Sequence, residues 1–351
     1  MFTWSEVPYE DMWNHLRAFA QAHTVKKLLL GQLGYNGQVS APYSYTSETA
    51  ATEKSMQIAM CIRQADEYFR AAESVTIATS PLMLFYGISS LAKALVVARC
   101  VDINLQDINY HGLDTRSKSP EVAKYSESPS SWSVENEFAY VNRGVFPELC
   151  GALGAFQFQT GTLFRFKSIL KTYPEISEFY KRFFAEPSPI VYVSSIETTD
   201  DPYRLSFTTR QKERLEDSVF PELKALFQIG ESERYRNFVS KDLRAFPSEL
   251  GFHTPYVGGR YIVRGVEFEF NGTQHVHNCH PAAIDFVGLY ILSMCVRYKQ
   301  VLWRSLVEGD ESGILGIVFP YFQTVKRRYP NLILDHLTGE QHEYGAPGRM
   351  I

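Results

Sequence analysis

The chain has 351 residues, of which 45% are hydrophobic and 21% charged, a balance typical of a soluble globular protein rather than a disordered one. Its formal net charge of −4 argues against broad nonspecific binding to nucleic acid, although it is compatible with a local basic pocket. The five cysteines form no CxxC pair, so we expect free thiols in a reducing compartment. The N-terminus lacks a basic-then-apolar signal pattern, and we therefore predict a cytoplasmic protein.

Two stretches near the N-terminus have the apolar spacing of amphipathic helices. The first covers about residues 10–31, and the second, residues 53–74, places Ile58, Ile62 and Phe69 on one stripe. A polar loop with several glycines separates them. A short turn leads from the second helix into the next apolar segment, and such a tight connection favours an antiparallel helix pair.

The most informative segment is residues 80–101, which is apolar on almost every side, as expected of a helix buried among other helices. Ser80 is the expected cap at its start. The polar exceptions are spaced i, i+4 and i+7 and form one stripe of Tyr86, Ser90 and Lys93. The segment is long enough to cross a membrane, but a lysine near its middle favours a core helix, and we expect no membrane association.

Beyond this helix the sequence changes from apolar helical segments to polar and β-rich ones. A polar segment predicts a long loop around His111-Gly112, and β-rich runs at residues 190–197 and 203–209 predict a hairpin. A second β-rich patch covers residues 256–270. We therefore expect one small antiparallel sheet, in an insertion at about residues 188–272 of a helical body. Short helices are predicted between the two β-rich patches, at residues 211–218, 221–227 and 231–246.

Residues 281–306 return to a long buried helix with a second polar stripe, formed by Tyr290, Ser293 and Arg297. No segment has the composition of a linker. We therefore predict a single domain over residues 1–351, with its helical core at about residues 8–31, 53–101 and 281–330.

A further helix is predicted at residues 313–329. It ends in the basic run 326–328, which suits the C-terminal end of a helix dipole. This position favours a solvated helix end over a nucleic-acid contact. We expect the tail from residue 338 to be frayed.

Lys93 and Arg297 lie in helices that are otherwise apolar, and a buried cation must be paired or must reach water. In one interpretation they share an anion-binding or catalytic pocket, with His111 reaching over it as an acid–base group or phosphate contact. In the other, His111 only bonds a backbone carbonyl at a turn. Each cation then pairs with a buried acid and fixes the helix register, the candidates being Asp66, Glu67 and Asp285.

A cluster ahead of the second buried helix is the only one with metal-ligand character, and it contains His275, His277, Cys279 and His280. A closed zinc site needs four ligands in tetrahedral reach, and residues 278 and 280 can instead cap the helix. We therefore predict no metal and no cofactor. Sequence motifs of P-loop, Rossmann, serine-hydrolase and zinc-protease sites are absent.

Four blocks of this sequence resemble the YaaC-like family of bacterial proteins. The family pattern usually has asparagine where this chain has Ser90, and proline where it has Gln300, so the resemblance is to a divergent member. Membership in this family implies no established activity. The blocks are ADEYFRAAESVTIATSPLMLFYGISSLAKAL (residues 65–95), YHG (110–112), GVFPEL (144–149) and LYILSMCVRYKQVLW (289–303).

A broader resemblance links residues 66–112 to HEPN helical domains. Many HEPN proteins are RNases of toxin or phage-defence systems that act through an Arg-x(4–6)-His motif across a dimer. The nearby match here is Arg17 with His23, which lacks the polar residue that normally follows the arginine. This match does not support RNase activity.

These observations predict a mainly α (α+β) fold, with a HEPN-like antiparallel helical core and a small antiparallel β-sheet insertion. The first functional hypothesis, carried by the resemblance, is an effector or accessory component of stress or antiphage defence that acts through protein or nucleic-acid contacts. The second is a nuclease or nucleotide-processing enzyme, and the third a structural scaffold without catalysis.

The enzyme hypothesis assigns catalysis to Lys93, His111 and Arg297. The partners left open are another protein, a second copy of the chain, and a nucleic acid or nucleotide. The binding candidates are Tyr86, Ser90, Arg99, Tyr290, Ser293 and Tyr298.

Overall fold

The computed structural model describes most of the chain, and its residues fall into two compact units. The first unit comprises residues 1–166, 280–311 and 322–351, and the second comprises residues 167–279 and 312–321. The described residues are 2–33, 43, 45–115, 132–200, 203–209, 227–231, 236–240, 248–253, 260–309 and 313–345.

Ten helices and fourteen strands lie in the described ranges. The helices are α1 (Pro8–Ala18), α2 (Ala22–Leu29), α3 (Glu48–Ser74), α4 (Ser80–Arg99), α5 (Val145–Ala152), α6 (Phe166–Leu170), α7 (Ser177–Phe184), α8 (Pro281–Tyr298), α9 (Gln300–Glu308) and α10 (Leu315–Thr338). The strands are β1 (Phe2–Trp4), β2 (His111–Asp114), β3 (Phe138–Gly144), β4 (Leu163–Arg165), β5 (Ile190–Val193), β6 (Ser195–Asp200), β7 (Tyr203–Thr209), β8 (Phe227–Glu231), β9 (Arg236–Ser240), β10 (Leu250–His253), β11 (Arg260–Arg264), β12 (Val266–Phe270), β13 (Thr273–His277) and β14 (Glu343–Gly345).

The first unit is built on α3 and α4, which pack side by side as an antiparallel pair. The helix α3 starts earlier than predicted because Ser47 caps it, accepting the backbone N–H of Ala50 at 3.3 Å. Thr79, not Ser80, is the N-cap of α4, so the predicted capping role of Ser80 is wrong. The two helices approach closely at Gly87, where an added Cβ would lie 2.6 Å from the ring of Phe69.

Two of the predicted long helices are each divided in two. The first becomes α1 and α2, and the carbonyl of Ala20 in the break accepts a hydrogen bond of 2.5 Å from Arg63. The second becomes α8 and α9, which meet at Lys299, whose φ of −122° and ψ of 42° are not helical. The Lys299 ammonium binds the carboxylate of Glu137 at 2.5 Å. In both breaks a partner distant in sequence stabilises the interruption.

The helix α10 is longer than predicted and includes the basic run 326–328. Arg328 forms an ion pair with Asp285, which is fully buried, and Lys326 binds Glu73 at 2.8 Å. The expectation of a solvated helix end is therefore wrong for these two cations. The tail is also more ordered than expected, since β14 pairs in parallel with β1.

Antiparallel strands occur in both units. In the first unit β3 pairs with β2 and with β4. In the second unit β6 and β7 form a hairpin at the predicted place, but residues 190–193 of its expected first strand are the separate strand β5, which pairs with β11. The strand β9 joins β7 to β8. A separate sheet has the order β10-β11-β5, and β12 pairs with β13, so the expectation of one small sheet is wrong.

The predicted short helices of the second unit are only partly covered by the structure. Residues 211–218 and 221–226 lie outside the described ranges. The third prediction, residues 231–246, is wrong at β9, where Phe238 is buried and pairs with Phe207 and Ile229 on the two neighbouring strands. Cross-strand pairing of β-branched and aromatic residues overrides the local helical preference there.

The helices α4 and α8 are both long and apolar enough to cross a membrane by length and composition alone, and most of each is buried. The five cysteines are free thiols, and three of them are buried: Cys61, Cys150 and Cys295. The fold is mainly helical with antiparallel strands, which confirms the prediction of a mainly α (α+β) fold.

Candidate functional site

The polar stripe of α4 lies along its contact with α3. Ser90 donates a hydrogen bond of 3.2 Å to the side-chain oxygen of Gln64, and the ring of Tyr86 stacks on Tyr68 with centroids 5.4 Å apart. Lys93 lies near enough to Cys61 for its charge to act on the thiol, although burial, the larger effect, raises the pKa of that thiol to about 11. The two helices therefore face each other through matched polar positions.

The second stripe, on α8, brings an arginine to the same place. The guanidinium carbon of Arg297 lies 5.9 Å from the ring centroid of Tyr86 and 5.3 Å from that of Tyr298. Its nitrogens contact its own helix, donating to the Ser293 hydroxyl at 3.4 Å and to the Met294 sulfur at 3.0 Å. The guanidinium is thus held by aromatic rings and weak acceptors.

His111 completes the cluster from β2. Its ring centroid lies 5.0 Å from that of Phe85, 6.0 Å from Tyr290 and 6.5 Å from Tyr86. Burial, the largest cause, acts together with the positive charges of Arg297 and Lys93 to lower the pKa of His111 to about 4. The structure therefore brings together the three residues to which the sequence assigns catalysis.

The backbone that follows His111 is fixed by a glycine and by one tyrosine. Gly112 has a φ of +82°, and a Cβ on it would lie 2.6 Å from the backbone nitrogen of Phe146. Only glycine fits that conformation at so close an approach. One residue further on, the hydroxyl of Tyr290 donates a hydrogen bond of 2.9 Å to the carbonyl of Leu113. His111 is thus on a bulged strand and not in the predicted loop.

Among the described residues, neither Lys93 nor Arg297 has a carboxylate within ion-pairing distance. Two of the three acids proposed as their partners bind other cations: Asp285 binds Arg328, and Asp66 binds Arg17 and Arg70. The third, Glu67, is exposed and not the buried acid that was expected. The interpretation in which both cations are neutralised by these two aspartates is therefore wrong. Within the described part of the chain, both positive charges therefore lack an acidic partner.

The cluster extends from the core to the surface. Tyr86, Lys93, His111 and Arg297 are all half-buried, and Gln64 beside them is exposed. Ser90 and Ser293 are buried and donate to carbonyls of their own helices, Tyr86 at 2.9 Å and Tyr290 at 2.7 Å. The serine hydroxyls therefore bond to their own helices, while the cations and the imidazole reach solvent.

One of the predicted binding residues, Arg99, lies apart from this arrangement, and another, Tyr298, lies at its edge. Arg99 donates to the carbonyl of His336 at 2.6 Å and lies over the ring of Tyr43 at 5.6 Å, so it stabilises the end of α10. Tyr298 is at the outer edge of the cluster, and 71% of it is exposed.

Three residues that contact the cluster are absent from the sequence prediction: Phe85, Gln64 and Tyr68. The last two follow Cys61 on α3 at i+3 and i+7, which mirrors the spacing of the α4 stripe. A position-by-position comparison of α3 with α4 would have identified Gln64 and Tyr68 from the sequence.

The described residues contain no group of three or more histidine, cysteine or acidic side chains arranged to hold a metal ion. In the predicted cluster, His275 stacks on Phe268 with centroids 5.5 Å apart, and Cys279 donates to the carbonyl of His277. His280 caps α8 by accepting the backbone N–H of Ala282 at 3.2 Å. The histidine of the RNase-like match, His23, is exposed, and its arginine binds Asp66.

Comparison with known proteins identifies one family. The family model described as YaaC-like Protein matches residues 17–337, which include every residue of the cluster. None of the curated proteins and none of the solved structures matches the chain. The HEPN-like resemblance is outside these findings and stays a prediction.

Proposed function

The chain belongs to the YaaC-like family, and from the cluster that its helices build we propose that it binds a phosphate ester and processes it. The observation that carries the proposal is that His111 and Arg297 both lie against the ring of Tyr86, close to Lys93, while neither cation has a described carboxylate partner. Lys93 and Arg297 would bind the phosphate oxygens, and His111 would exchange the proton.

Phosphate is the anion that suits this pair of cations best. A guanidinium presents a planar set of donors that matches phosphate oxygens, and an ammonium adds a compact positive charge. Arg297 is held by the rings of Tyr86 and Tyr298 and by neutral atoms, so its positive charge is not offset by a described acid. A bound dianion would supply the compensation that the protein lacks.

His111 suits a role as proton acceptor. Its pKa of about 4 keeps the imidazole neutral at pH 7, so a ring nitrogen can take a proton from an attacking water. In hydrolysis the water oxygen forms the new bond to phosphorus, the ester oxygen leaves, and the protonated His111 returns its proton to that oxygen. A bound phosphate dianion would raise the pKa of His111 toward its ordinary value and strengthen it as a base.

The alternative hypotheses have weaker support. A scaffold would pair its buried cations, as Arg328 does with Asp285, whereas Lys93 and Arg297 are unpaired among the described residues. The role in stress or phage defence depends on the HEPN-like resemblance, and no contact in the described structure favours it. We therefore develop the phosphate-ester proposal alone.

Isothermal titration with a panel of phosphate monoesters tests the proposal, with phosphate release as the second measurement. Lys93→Met and Arg297→Met should each weaken binding about tenfold or more, because each removes a charge-assisted hydrogen bond. His111→Gln should retain binding and lose turnover. The exposed Lys27 of α2 offers a matched control, Lys27→Met, which should change neither.

The melting temperature separates a site from a structural ion pair. Because Lys93 has no described ion-pair partner, Lys93→Met should fold with an unchanged or slightly higher melting temperature. If no monoester binds the native protein, or if Lys93→Met unfolds it, the proposed function is wrong.

A further inference from the structure

We infer that the phosphate ester is a mononucleotide and that Tyr298 is the platform on which its base stacks. This inference rests on the proposed function, because it assigns the organic part of the ligand whose phosphate Lys93 and Arg297 would bind. Its support comes from a different feature, the exposed aromatic surface at the end of α8.

Tyr298 is a large ring left uncovered beside the cluster. It is 71% exposed, although a tyrosine ring at a protein surface usually packs its apolar body against neighbours. Its ring centroid lies 5.3 Å from the guanidinium carbon of Arg297. A ligand whose phosphate contacts Arg297 would therefore place its next chemical group close to this ring.

The backbone holds this ring in a defined place. The helix α8 ends at Tyr298 because Lys299 leaves the helical conformation, and its ammonium is anchored at 2.5 Å to Glu137, which is buried. The ring consequently projects from a fixed corner between two helices and not from a flexible loop. Because this backbone is already ordered, stacking a ligand on the ring costs mainly the side-chain freedom of Tyr298.

The other aromatic ring near Arg297 is already occupied. Tyr86 stacks on Tyr68 with centroids 5.4 Å apart, so that face is covered by the protein itself. Val301, in α9 beyond the break at Lys299, is a second exposed apolar residue, at 81%. The site thus has a charged inner part and an aromatic outer part, which matches the phosphate and the base of a nucleotide.

The charge available favours one nucleotide over a nucleic-acid strand. Binding to a strand usually depends on a row of cations that neutralise successive phosphates. The cluster offers Lys93 and Arg297, and the chain as a whole has a net charge of −4. Two cations around one imidazole suit a single phosphoryl group.

Isothermal titration with AMP, ribose 5-phosphate and inorganic phosphate tests the inference. For the native protein we expect AMP to bind roughly tenfold or more tightly than ribose 5-phosphate, which is the effect of one stacked base. Tyr298→Leu should reduce AMP affinity to the level of ribose 5-phosphate and leave ribose 5-phosphate affinity unchanged. Tyr298→Phe should behave like the native protein, and Val301→Ala serves as a control for general loss of exposed apolar surface.

The outcomes separate this inference from the proposed function. If AMP and ribose 5-phosphate bind equally, or if Tyr298→Leu weakens both, the base does not stack on Tyr298, and the phosphate-ester proposal stands. If neither ligand binds, both statements fail. If a single-stranded oligonucleotide binds much more tightly than AMP, the ligand is a strand, and the mononucleotide assignment is wrong.

Discussion

His280 and His336 share a hydrogen bond in which their Nε2 atoms lie 2.9 Å apart. His280 also accepts the backbone N–H of Ala282 on Nδ1, so its single proton is on Nε2 and is donated to His336. A second proton on His280 would remove the helix cap, and one on His336 would place two donors face to face. Burial is the largest cause that lowers the pKa of both rings. With the charges of His336 and Arg328 it lowers the pKa of His280 to about 3, and with the charge of Arg99 it lowers the pKa of His336.

This pair predicts a loss of stability in acid. Unfolded histidines bind protons near pH 6.5, whereas the folded pair stays neutral to lower pH, so the free energy of unfolding should decrease as the pH falls below about 6.5. Urea unfolding at several pH values measures the slope. His336→Gln keeps a neutral acceptor for His280 but cannot titrate, so its slope should be smaller. The control His23→Gln, at an exposed position, should keep the native slope, and an unchanged slope in His336→Gln would contradict the interpretation.

The ion pair of Arg328 with Asp285 predicts a large loss of stability when one partner is removed. Asp285 is fully buried, and Arg328 is only 9% exposed. The variant Asp285→Ala removes the carboxylate that compensates the charge of the Arg328 guanidinium. We expect the free energy of unfolding to decrease by about 3–5 kcal/mol, measured by urea unfolding. The exposed i, i+4 pair of Arg304 with Glu308 is the control, and Glu308→Ala should cost at most about 1 kcal/mol. Similar losses for both variants would show that burial does not set the effect.

The two buried helices and their polar stripes could be predicted because helical periodicity is a local property. Tyr86, Ser90 and Lys93 share a face of any helix that contains them, and the apolar remainder already indicates burial. Their proximity to Arg297 follows once α8 packs against α4. Periodicity could not identify the partner of each charge, because such partners come from distant parts of the chain. Arg328, which pairs with Asp285, lies 43 residues away from it in sequence.

The helix breaks could not be predicted for the same reason. No glycine or proline marks the interruption at Lys299, where the ammonium binds the distant carboxylate of Glu137. The place of His111 also depends on a distant contact. Gly112 fits against Phe146 only in the folded chain, so the sequence around the histidine alone suggests a loop.

The contact of Gly87 with Phe69 predicts that even one added methyl group is destabilising. The Cβ of Gly87→Ala would lie 2.6 Å from the Phe69 ring, which is itself buried, so the α3–α4 pair must separate or repack. We expect a loss of about 1–3 kcal/mol in the free energy of unfolding. Gly316 in α10 is the matched control, because its Cβ would meet no atom within 4 Å. Gly316→Ala should be neutral or slightly stabilising, as alanine favours a helix, and a stabilising Gly87→Ala would show that the helices are not in close contact there.

Gly112 links the backbone to the candidate site, because its conformation sets the position of the neighbouring His111. Gly112→Ala adds two costs, a φ of +82° that alanine rarely adopts and a Cβ 2.6 Å from the backbone nitrogen of Phe146. The expected loss is about 2–4 kcal/mol in the free energy of unfolding, measured by urea unfolding.

Gly161 separates those two costs, since its φ is +92° but a Cβ on it would meet no atom within 4 Å. Gly161→Ala should therefore lose only about 1–2 kcal/mol, the cost of the backbone conformation alone. Under the phosphate-ester proposal, Gly112→Ala and Gly161→Ala should also differ in turnover. The turnover is measured under conditions in which both variants are folded. Gly112→Ala displaces the strand that carries His111 and should reduce turnover, whereas Gly161→Ala leaves that strand in place and should not. Equal stability and equal turnover in the two variants would mean that the approach of Phe146 to Gly112 does not position the imidazole.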